Sequence, residues 1–498
     1  MYKKVFFLLF IFYQSTGLCQ GISLENAQFD LEELKSIILR HSSYFQFSEL
    51  DLDQEIESIH SKFKSNDSIP IIYLHHEISK LIASIGDRHS RVDLPDSLHV
   101  KEKYANQFFP FVLAPLHDMI VVLKRIENTN QYSYLDNNYR YLKEIQGIDV
   151  YDLINYYPHR DLKAPKKGRL LRGSWYLESI AKHLFFEHKF IGDSITITMT
   201  NGSSDTIITS AYSSNRNFWS DIGSANPYYS KLSKEVWDNA EYRNLDRWLT
   251  DSIAYFRITD MLSYKRHPYF EAYLLNAIQK FRSAKAMIFD LRGNFGGTRH
   301  ILNTLAPFLI PKEHSPWIAN IAYIRNNQGL NEDIESMSAR YLYPYDSENF
   351  TDLDRIAINS FLTQFNPEFN IPDDLFSKPY FMVLKSGDQQ IGCPVYVLVS
   401  EESFSAATVF TASFKDLPNV IIAGVTTDGS SGRSTWFNLP KSGIAFKLST
   451  MVSFQRNGKP LDGHGTEPEI WIDRTERQIF GYEDTQLNEL IKIINNKN

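Results

Sequence analysis

The chain has 498 residues, which is enough for about three domains of ordinary size. Apolar residues make up 43% of it and charged residues 22%, proportions typical of folded globular proteins. The formal net charge of −7 argues against a general nucleic-acid binder, because such proteins normally carry a basic excess. Two cysteines, Cys19 and Cys393, are too few for a disulfide framework or a cysteine-ligated zinc or iron–sulfur site.

Residues 1–19 have the pattern of an export signal. Two lysines precede an apolar run over residues 5–13, which is too short to cross a bilayer but has the length of a signal-peptide core. We predict cleavage after Cys19 and export to the periplasm or out of the cell. Lipid attachment at Cys19 is a less favoured alternative, because Leu18 stands where a lipoprotein signal has Gly or Ala, and a buried N-terminal helix is another. No other stretch approaches eighteen apolar residues, so no stable membrane span is expected.

Residues 20–103 are predicted to form an N-terminal helical region. Apolar residues recur there at helical spacing, at Leu31, Leu34, Ile37 and Ile38 and again at Leu74, Ile78, Leu81 and Ile82. Gly86 interrupts this pattern, and the polar segment IGDRHSRV, which contains His89, follows it.

Residues 104–212 are predicted to form a small β-rich module. Short strand-like runs dominate, a hairpin is expected around Asn201-Gly202, and one helix is expected near residues 175–188. The segment YLKEIQGIDVYDLI resembles the strand–turn–strand of PDZ-type peptide-binding modules, and a generic β domain is the alternative. The basic stretch 159–173 is interpreted as a solvated loop in preference to a nucleic-acid or membrane patch.

Residues 213–498 alternate strand-like apolar runs with helix-like ones, which indicates an α/β core with a largely parallel sheet. A polar and aromatic insertion over about residues 313–385 interrupts the alternation. Apolar strands are expected at 286–291 and 395–399, each followed by a turn and a helix, and the second helix is expected to start near Ser405.

Three segments of this core contain residues typical of catalysis. The first, DLRGNFGG, is a glycine-rich turn, but it lacks the spacing of phosphate and dinucleotide loops. The second places Ser403 and Ser405 at a helix start, where a free backbone N–H can stabilise an oxyanion, although either serine could simply cap the helix. The third, GKPLDGHGTEPEI, crowds Asp462, His464 and Glu467 into one loop, which could also be an ordinary polar turn.

In their order and spacing, these three segments resemble the C-terminal-processing and tricorn-core family of serine peptidases, also called tail-specific proteases. The resemblance covers about the last 230 residues, and IGDRHSRV resembles an upstream segment of the same family. One branch of the family activates its serine with a lysine twenty-five residues further on. Ser430 occupies that position here, so the resemblance favours the tricorn-like branch, which uses a histidine and an acid.

The resemblance implies a role for each matching residue. Ser405 matches the nucleophile, His89 the base and Asp462 the acid, although the family has Glu at that position; Glu467 is the alternative acid. A histidine has the pKa that the base requires, and a carboxylate can orient it. Arg88 stands where the tricorn pattern has a serine.

The oxyanion hole is assigned to the backbone N–H groups of Ala406 and of the Gly296–Gly297 turn. The resemblance also implies a crotonase-like spiral core, a peptide or protein substrate, and no need for a metal or cofactor. A catalytically inactive relative that binds a peptide or lipid stays open as an alternative. An acyl-CoA enzyme on a similar core is disfavoured by the export signal.

Overall fold

The computed structural model describes residues 21–93, 106–156, 164–186, 192–224, 245–326, 332–430 and 432–497. The predicted signal peptide with Cys19 and the first part of the basic stretch therefore lie outside the described residues. Within the described ranges, no helix combines the length and the apolar character needed to cross a bilayer.

The N-terminal region is helical, as the apolar spacing predicted. Its elements are β1 (Gly21–Ser23), α1 (Leu24–His41), α2 (Leu52–Phe63), β2 (Ser68–Pro70), α3 (Ile71–Ile85) and β3 (Arg91–Asp93). The side chains of Ser23 and Asp51 accept backbone N–H groups at the starts of α1 and α2. Gly86 adopts φ +90° and ends α3, a conformation that glycine takes without steric cost. The segment containing His89 therefore leaves the helical region at a defined point.

The next region is built around an antiparallel sheet. Its elements are β4 (Val112–Leu116), β5 (Met119–Arg125), β6 (Tyr132–Tyr134), β7 (Tyr141–Ile145), β8 (Ile148–Asp149), α4 (Val150–Tyr156), α5 (Lys166–Leu177), α6 (Ile180–Phe186), β9 (Ser194–Thr200) and β10 (Asp205–Ala211). The strand order is β10-β9-β7-β5-β4, with β6 beside β5 and β8 beside β7. The predicted hairpin is confirmed, because β9 and β10 pair in register around Asn201 and Gly202.

Two predictions for this region are wrong. Residues 166–173 are not a solvated loop but the start of α5, on which Arg172 is buried. The helix expected at 175–188 is two helices, since α5 ends at Leu177 and α6 begins at Ile180. The basic composition of this stretch does not reveal that one of its arginines has a buried anionic partner, and that partner is distant in sequence.

The α/β core occupies the remainder of the chain. Its elements are β11 (Asp246–Trp248), β12 (Ile253–Arg257), α7 (Phe270–Lys280), β13 (Ala286–Asp290), α8 (His300–Leu309), β14 (Trp317–Ile324), α9 (Glu332–Ser338), β15 (Tyr343–Pro344), α10 (Asp352–Leu362), β16 (Tyr380–Leu384), β17 (Val395–Val399), α11 (Ala406–Phe414), β18 (Val420–Gly424), β19 (Ser434–Asn438), β20 (Ala445–Ser449), β21 (Met451–Phe454), β22 (Ile470–Trp471), α12 (Glu476–Ile479) and α13 (Thr485–Lys497).

The predicted parallel sheet is present. Its order is β11-β12-β13-β17-β18-β22, and β11 is the antiparallel edge strand. Strands β13 and β17 are buried throughout, because α7, α8 and α11 cover one face of the sheet and α13 covers the other. Neighbouring parallel strands end at the same edge, so the turns after β13 and β17 meet there.

The insertion near residues 313–385 interrupts the parallel sheet, as expected, but it is not peripheral. It contributes three strands of a second, antiparallel sheet of order β15-β16-β14-β21. Most of β14 is buried. The aromatic content of this stretch therefore belongs to a packed layer of the core.

A third sheet joins the two ends of the chain. Strand β3 pairs antiparallel with β20, with Val92 opposite Phe446, and β20 also pairs with β19. Buried side chains of α1, α2 and α3 share one apolar cluster with Phe446, Leu448 and other residues of β20 and β21. Because His89 lies two residues before β3, this pairing carries it to the C-terminal half of the molecule.

Candidate active site

In the turn after β17, the two candidate serines have different surroundings. Ser403 is fully buried, its Oγ donates to the carbonyl of Leu291 at 2.9 Å, and the N–H of Ser400 donates to that Oγ at 3.1 Å. Ser403 therefore joins the turns that follow β13 and β17 and is not available as a nucleophile. Its side chain also does not cap α11, because its partners lie in those turns.

Ser405 directly precedes α11 in a backbone conformation of φ +56° and ψ −119°. A residue other than glycine rarely occupies positive φ, and such strain is concentrated at functional sites. Ser405 occupies the N-cap position of α11, but its side chain makes no capping hydrogen bond, so its hydroxyl is not used to cap the helix. Ser405 is half-buried at the helix N-terminus, and its hydroxyl oxygen faces His89.

The glycine-rich turn after β13 packs against Ser405. Gly296 has φ +92°, and a Cβ atom there would lie 2.7 Å from both the carbonyl oxygen of Phe404 and Cβ of Ser405. Its N–H donates to Oδ1 of Asn294 at 2.8 Å and is therefore already engaged. By contrast, the N–H groups of Gly297 and Ala406 make no hydrogen bond to any described residue. Of the three predicted oxyanion donors, Ala406 and Gly297 are thus the available pair.

His89 faces Ser405 although the two residues are 316 positions apart. Its Nε2 lies 3.3 Å from Ser405 Oγ, and its ring stacks on Phe404 with centroids 5.2 Å apart. A histidine nitrogen at this distance is positioned to exchange a proton with the hydroxyl. The structure therefore brings together the predicted nucleophile and the predicted base.

Asp87 holds the turn that contains His89. Its carboxylate accepts the N–H of His89 at 3.0 Å, the N–H of Ser90 at 2.7 Å and the hydroxyl of Ser449 at 2.6 Å. Burial raises the pKa of Asp87, and these hydrogen bonds oppose the rise. This role of Asp87 was not predicted from the sequence, although an aspartate two residues before a candidate base is a recognisable turn signal.

Asp462 lies beside the same turn but contacts its backbone. The carboxylate accepts the hydroxyl of Tyr44 at 3.0 Å and the N–H of Arg88 at 3.3 Å. Burial and the neighbouring Asp462 raise the pKa of Tyr44 well above its usual value. No hydrogen bond joins Asp462 to the His89 ring among the described residues.

The other charged residues of the last loop lie outside the site. Glu467 is exposed, and its backbone carbonyl accepts Nζ of Lys415 at 2.8 Å. His464 Nε2 lies 3.1 Å from a carboxylate oxygen of Glu368. The described hydrogen bonds thus place Asp462, and not Glu467, next to the His89 turn.

The second ring nitrogen of His89 meets the segment that follows β18. Nδ1 lies 3.0 Å from Ser430 Oγ, and the N–H of Gly432 donates to it at 3.2 Å. Ser430 is fully buried, and its neighbour Gly429 accepts the N–H of Gly463 at 3.1 Å. In the sequence, Ser430 stands out only as the position at which the lysine of a Ser–Lys dyad is absent, so its contact with His89 was not predicted.

A buried ion cluster lies against the same residues. Asp428 is fully buried and accepts Arg88 at 2.5 Å and Arg172 at 2.9 Å. Both guanidinium groups lie over the ring of Phe404, at 5.9 and 5.6 Å from its centroid. Arg172 belongs to α5, so the β-rich region reaches the candidate site directly.

In the part of the chain that the structure describes, no group of three or more His, Cys, Asp or Glu residues could hold a metal ion.

A half-buried serine against a histidine, with two unengaged backbone N–H groups beside it, is typical of hydrolases that act through a serine nucleophile. Residues 252–472 match the family model described as Peptidase family S41. This matched segment, which contains Ser405 and the turns after β13 and β17, is therefore similar to S41 peptidases. His89 lies outside the matched residues.

Solved structures extend the likeness to nearly the whole chain. Mature CPAF is 18% identical, with a TM-score of 0.60, and the match covers 95% of this chain and 98% of that one. Mature CPAF complexed with lactacystin is 16% identical, with a TM-score of 0.58, and the match covers 95% and 99%. At these identities the similarity concerns the fold. No curated protein sequence matches the chain.

Proposed function

We propose that this protein is a serine peptidase that cleaves peptide bonds in a protein or peptide substrate. Ser405 is the nucleophile and His89 is the general base. The observation that carries the proposal is the 3.3 Å contact between His89 Nε2 and Ser405 Oγ, which joins residues 316 positions apart in the sequence. The S41 domain match supports the same reaction class.

In the proposed reaction, His89 Nε2 removes the hydroxyl proton as Ser405 Oγ attacks the substrate carbonyl carbon. The N–H groups of Ala406 and Gly297 stabilise the oxyanion, and Ala406 lies at the positive end of the α11 dipole. The proton then passes from His89 to the leaving amine. Water hydrolyses the acyl-enzyme in a second cycle with the same base.

Asp462 is the proposed acidic partner, but its contacts support an indirect role. It holds the N–H of Arg88, the residue before His89, and so orients the turn that carries the base. A carboxylate in this place also stabilises the imidazolium electrostatically. The histidine contact supports the tricorn-like branch of the family in preference to the Ser–Lys branch.

The remaining sequence predictions are part of the same proposal. We propose that residues 1–19 direct export to the periplasm or out of the cell. We also propose that residues 104–212 act as a PDZ-like module, in which the antiparallel sheet with α5 contributes Arg172 to the site.

A fluorophosphonate probe, which labels activated serines, tests the proposal. Wild-type protein is expected to be labelled and to degrade an unstructured protein such as casein, and Ser405→Ala is expected to do neither. Ser413→Ala is a matched control, because Ser413 Oγ is buried on the same helix and has no hydrogen-bond partner among the described residues. Lactacystin, which is bound to CPAF in a solved structure, serves as a second probe. No labelling of well-folded wild-type protein would contradict the proposal.

A further inference from the structure

Two groups among the described residues contact Nδ1 of His89, and only one of them is compatible with a proton on that nitrogen. A backbone N–H can only donate, so the 3.2 Å contact from Gly432 requires a lone pair on Nδ1. The neutral ring then carries its proton on Nε2, and Ser405 Oγ accepts it across 3.3 Å. In that tautomer, His89 cannot take the serine proton.

Ser430 offers the alternative. Its hydroxyl lies 3.0 Å from Nδ1 and can either donate or accept. When it accepts an Nδ1 proton, the lone pair of the neutral ring lies on Nε2 and faces Ser405. Only this tautomer can act as the base.

The position of Ser430 is determined by backbone contacts of the two residues that precede it. The N–H of Asp428 donates to the carbonyl oxygen of Ser403 at 3.1 Å. The N–H of Gly463 donates to the carbonyl oxygen of Gly429, also at 3.1 Å. Gly429 has φ +79°, and a Cβ atom there would lie 2.5 Å from the backbone nitrogen of Gly465. These contacts tie Ser430 to the serine turn and to the Asp462 loop, so its oxygen has a defined place beside the ring.

We infer that Ser430 is a positioning residue whose hydroxyl accepts the Nδ1 proton of His89 and selects the productive tautomer, while the Gly432 N–H stabilises the unproductive one. The inference rests on the proposed function and adds a means of regulation. The fraction of active enzyme then depends on how often Nδ1 of His89 carries a proton that the Ser430 hydroxyl accepts. Ser430 thus takes the role that a carboxylate has in a Ser-His-Asp triad.

Activity measurements on Ser430→Ala test this assignment. We expect kcat to fall by about 10²-fold or more, because the variant loses the hydroxyl that accepts the Nδ1 proton and keeps the opposing Gly432 N–H, whereas KM stays near the wild-type value. Ser430→Thr, which keeps the hydroxyl, is expected to restore kcat to within about tenfold. Ser413→Ala is the matched control for loss of a buried serine hydroxyl.

The pH profile distinguishes positioning from general damage to the fold. The imidazolium carries a proton on Nδ1, which Ser430 accepts and which Gly432 opposes. Ser430→Ala should therefore move the acid limb of kcat/KM to lower pH, with Asp87, Arg88, Asp428, Arg172 and Asp462 unchanged around the ring. Loss of structure alone would lower kcat/KM at every pH without moving the acid limb of the profile along the pH axis.

Nitrogen NMR of His89, identified by difference from His89→Gln, gives a test on the wild type that does not depend on how the variants fold. The Nδ1-protonated tautomer should be populated at the pH of maximal activity and lost in Ser430→Ala. A wild-type His89 protonated wholly on Nε2 would overturn the inference, as would a Ser430→Ala variant with wild-type kcat and pH profile. If Ser405→Ala still abolishes labelling in those cases, the proposed function stands; if wild type is not labelled, that function itself fails.

Discussion

The two halves of the candidate site are built in different ways. The serine half lies on two adjacent parallel strands, and its parts, the glycine-rich turn and the turn at Ser405, each follow their strand directly. No pair of adjacent parallel strands positions the histidine half. His89 reaches the site because β3 pairs with β20, and it is held there by Asp87 in its own turn and by Asp462 and Ser430 from two distant parts of the chain. The first half therefore depends on strand–turn–helix geometry, and the second on long-range packing.

Removal of the base is the most severe test of this comparison. His89→Ala should lower kcat by about 10³-fold or more, the scale typical of a triad base. The free energy of unfolding should change little, because the ring is half-buried. Steady-state kinetics and chemical denaturation measure the two effects. A loss of less than tenfold would remove His89 from the mechanism.

Disruption of the buried ion cluster should damage the histidine half through stability. Asp428→Asn leaves Arg88 and Arg172 without their carboxylate and should lower the free energy of unfolding by about 3–5 kcal/mol. Asp373→Asn removes the carboxylate of an exposed pair with Lys378 and should change it by less than about 1 kcal/mol. Equal effects in urea denaturation would show that the Asp428 cluster is not a structural link between α5 and the site.

The serine half should respond to a single added methyl group. Gly296→Ala combines an unfavourable φ of +92° with contacts under 3 Å to Phe404 and Ala406. The substitution should lower the free energy of unfolding by about 2–4 kcal/mol and lower kcat by about 10²-fold. Gly202→Ala is a matched control, because Gly202 has the same φ and nothing within 4 Å of the added atom. Gly202→Ala should lower the free energy of unfolding by about 1–2 kcal/mol and leave kcat unchanged. A similar loss of kcat in both variants would contradict the packing argument.

The smallest expected effect comes from Tyr44. Tyr44→Phe removes the donor to Asp462 and leaves a buried carboxylate oxygen without it, at a cost of about 1.5–3 kcal/mol. A modest fall in kcat should accompany this loss, since Asp462 holds the turn before His89. Tyr482→Phe, at an exposed position, should be within about 0.5 kcal/mol of wild type by thermal denaturation. No difference between the two variants would argue that Asp462 is held without Tyr44.

Prediction from sequence succeeded where the signal was contiguous. The strands Ala286–Asp290 and Val395–Val399, the helix that begins at Ala406 and the hairpin at Asn201-Gly202 each follow from a local apolar pattern and a turn residue. The pairing of Ser405 with His89 was expected only from the resemblance to a family, because no periodicity relates residues 316 positions apart. Arg172 was assigned to a solvated loop because its charge is visible in the sequence and its partner Asp428 is not.

By itself, then, the amino-acid sequence determined the strands, the turns and the residue types that a serine hydrolase needs. Tertiary structure decided which of several candidates meet. It left Ser403 to hold the turns together, placed Ser405 against His89, engaged the N–H of Gly296 and placed the hydroxyl of Ser430 beside Nδ1 of His89. The physical reason is that a strand or a turn is favoured by its own neighbours in sequence, whereas a hydrogen bond across hundreds of residues exists only when packed elements bring its two atoms within about 3 Å.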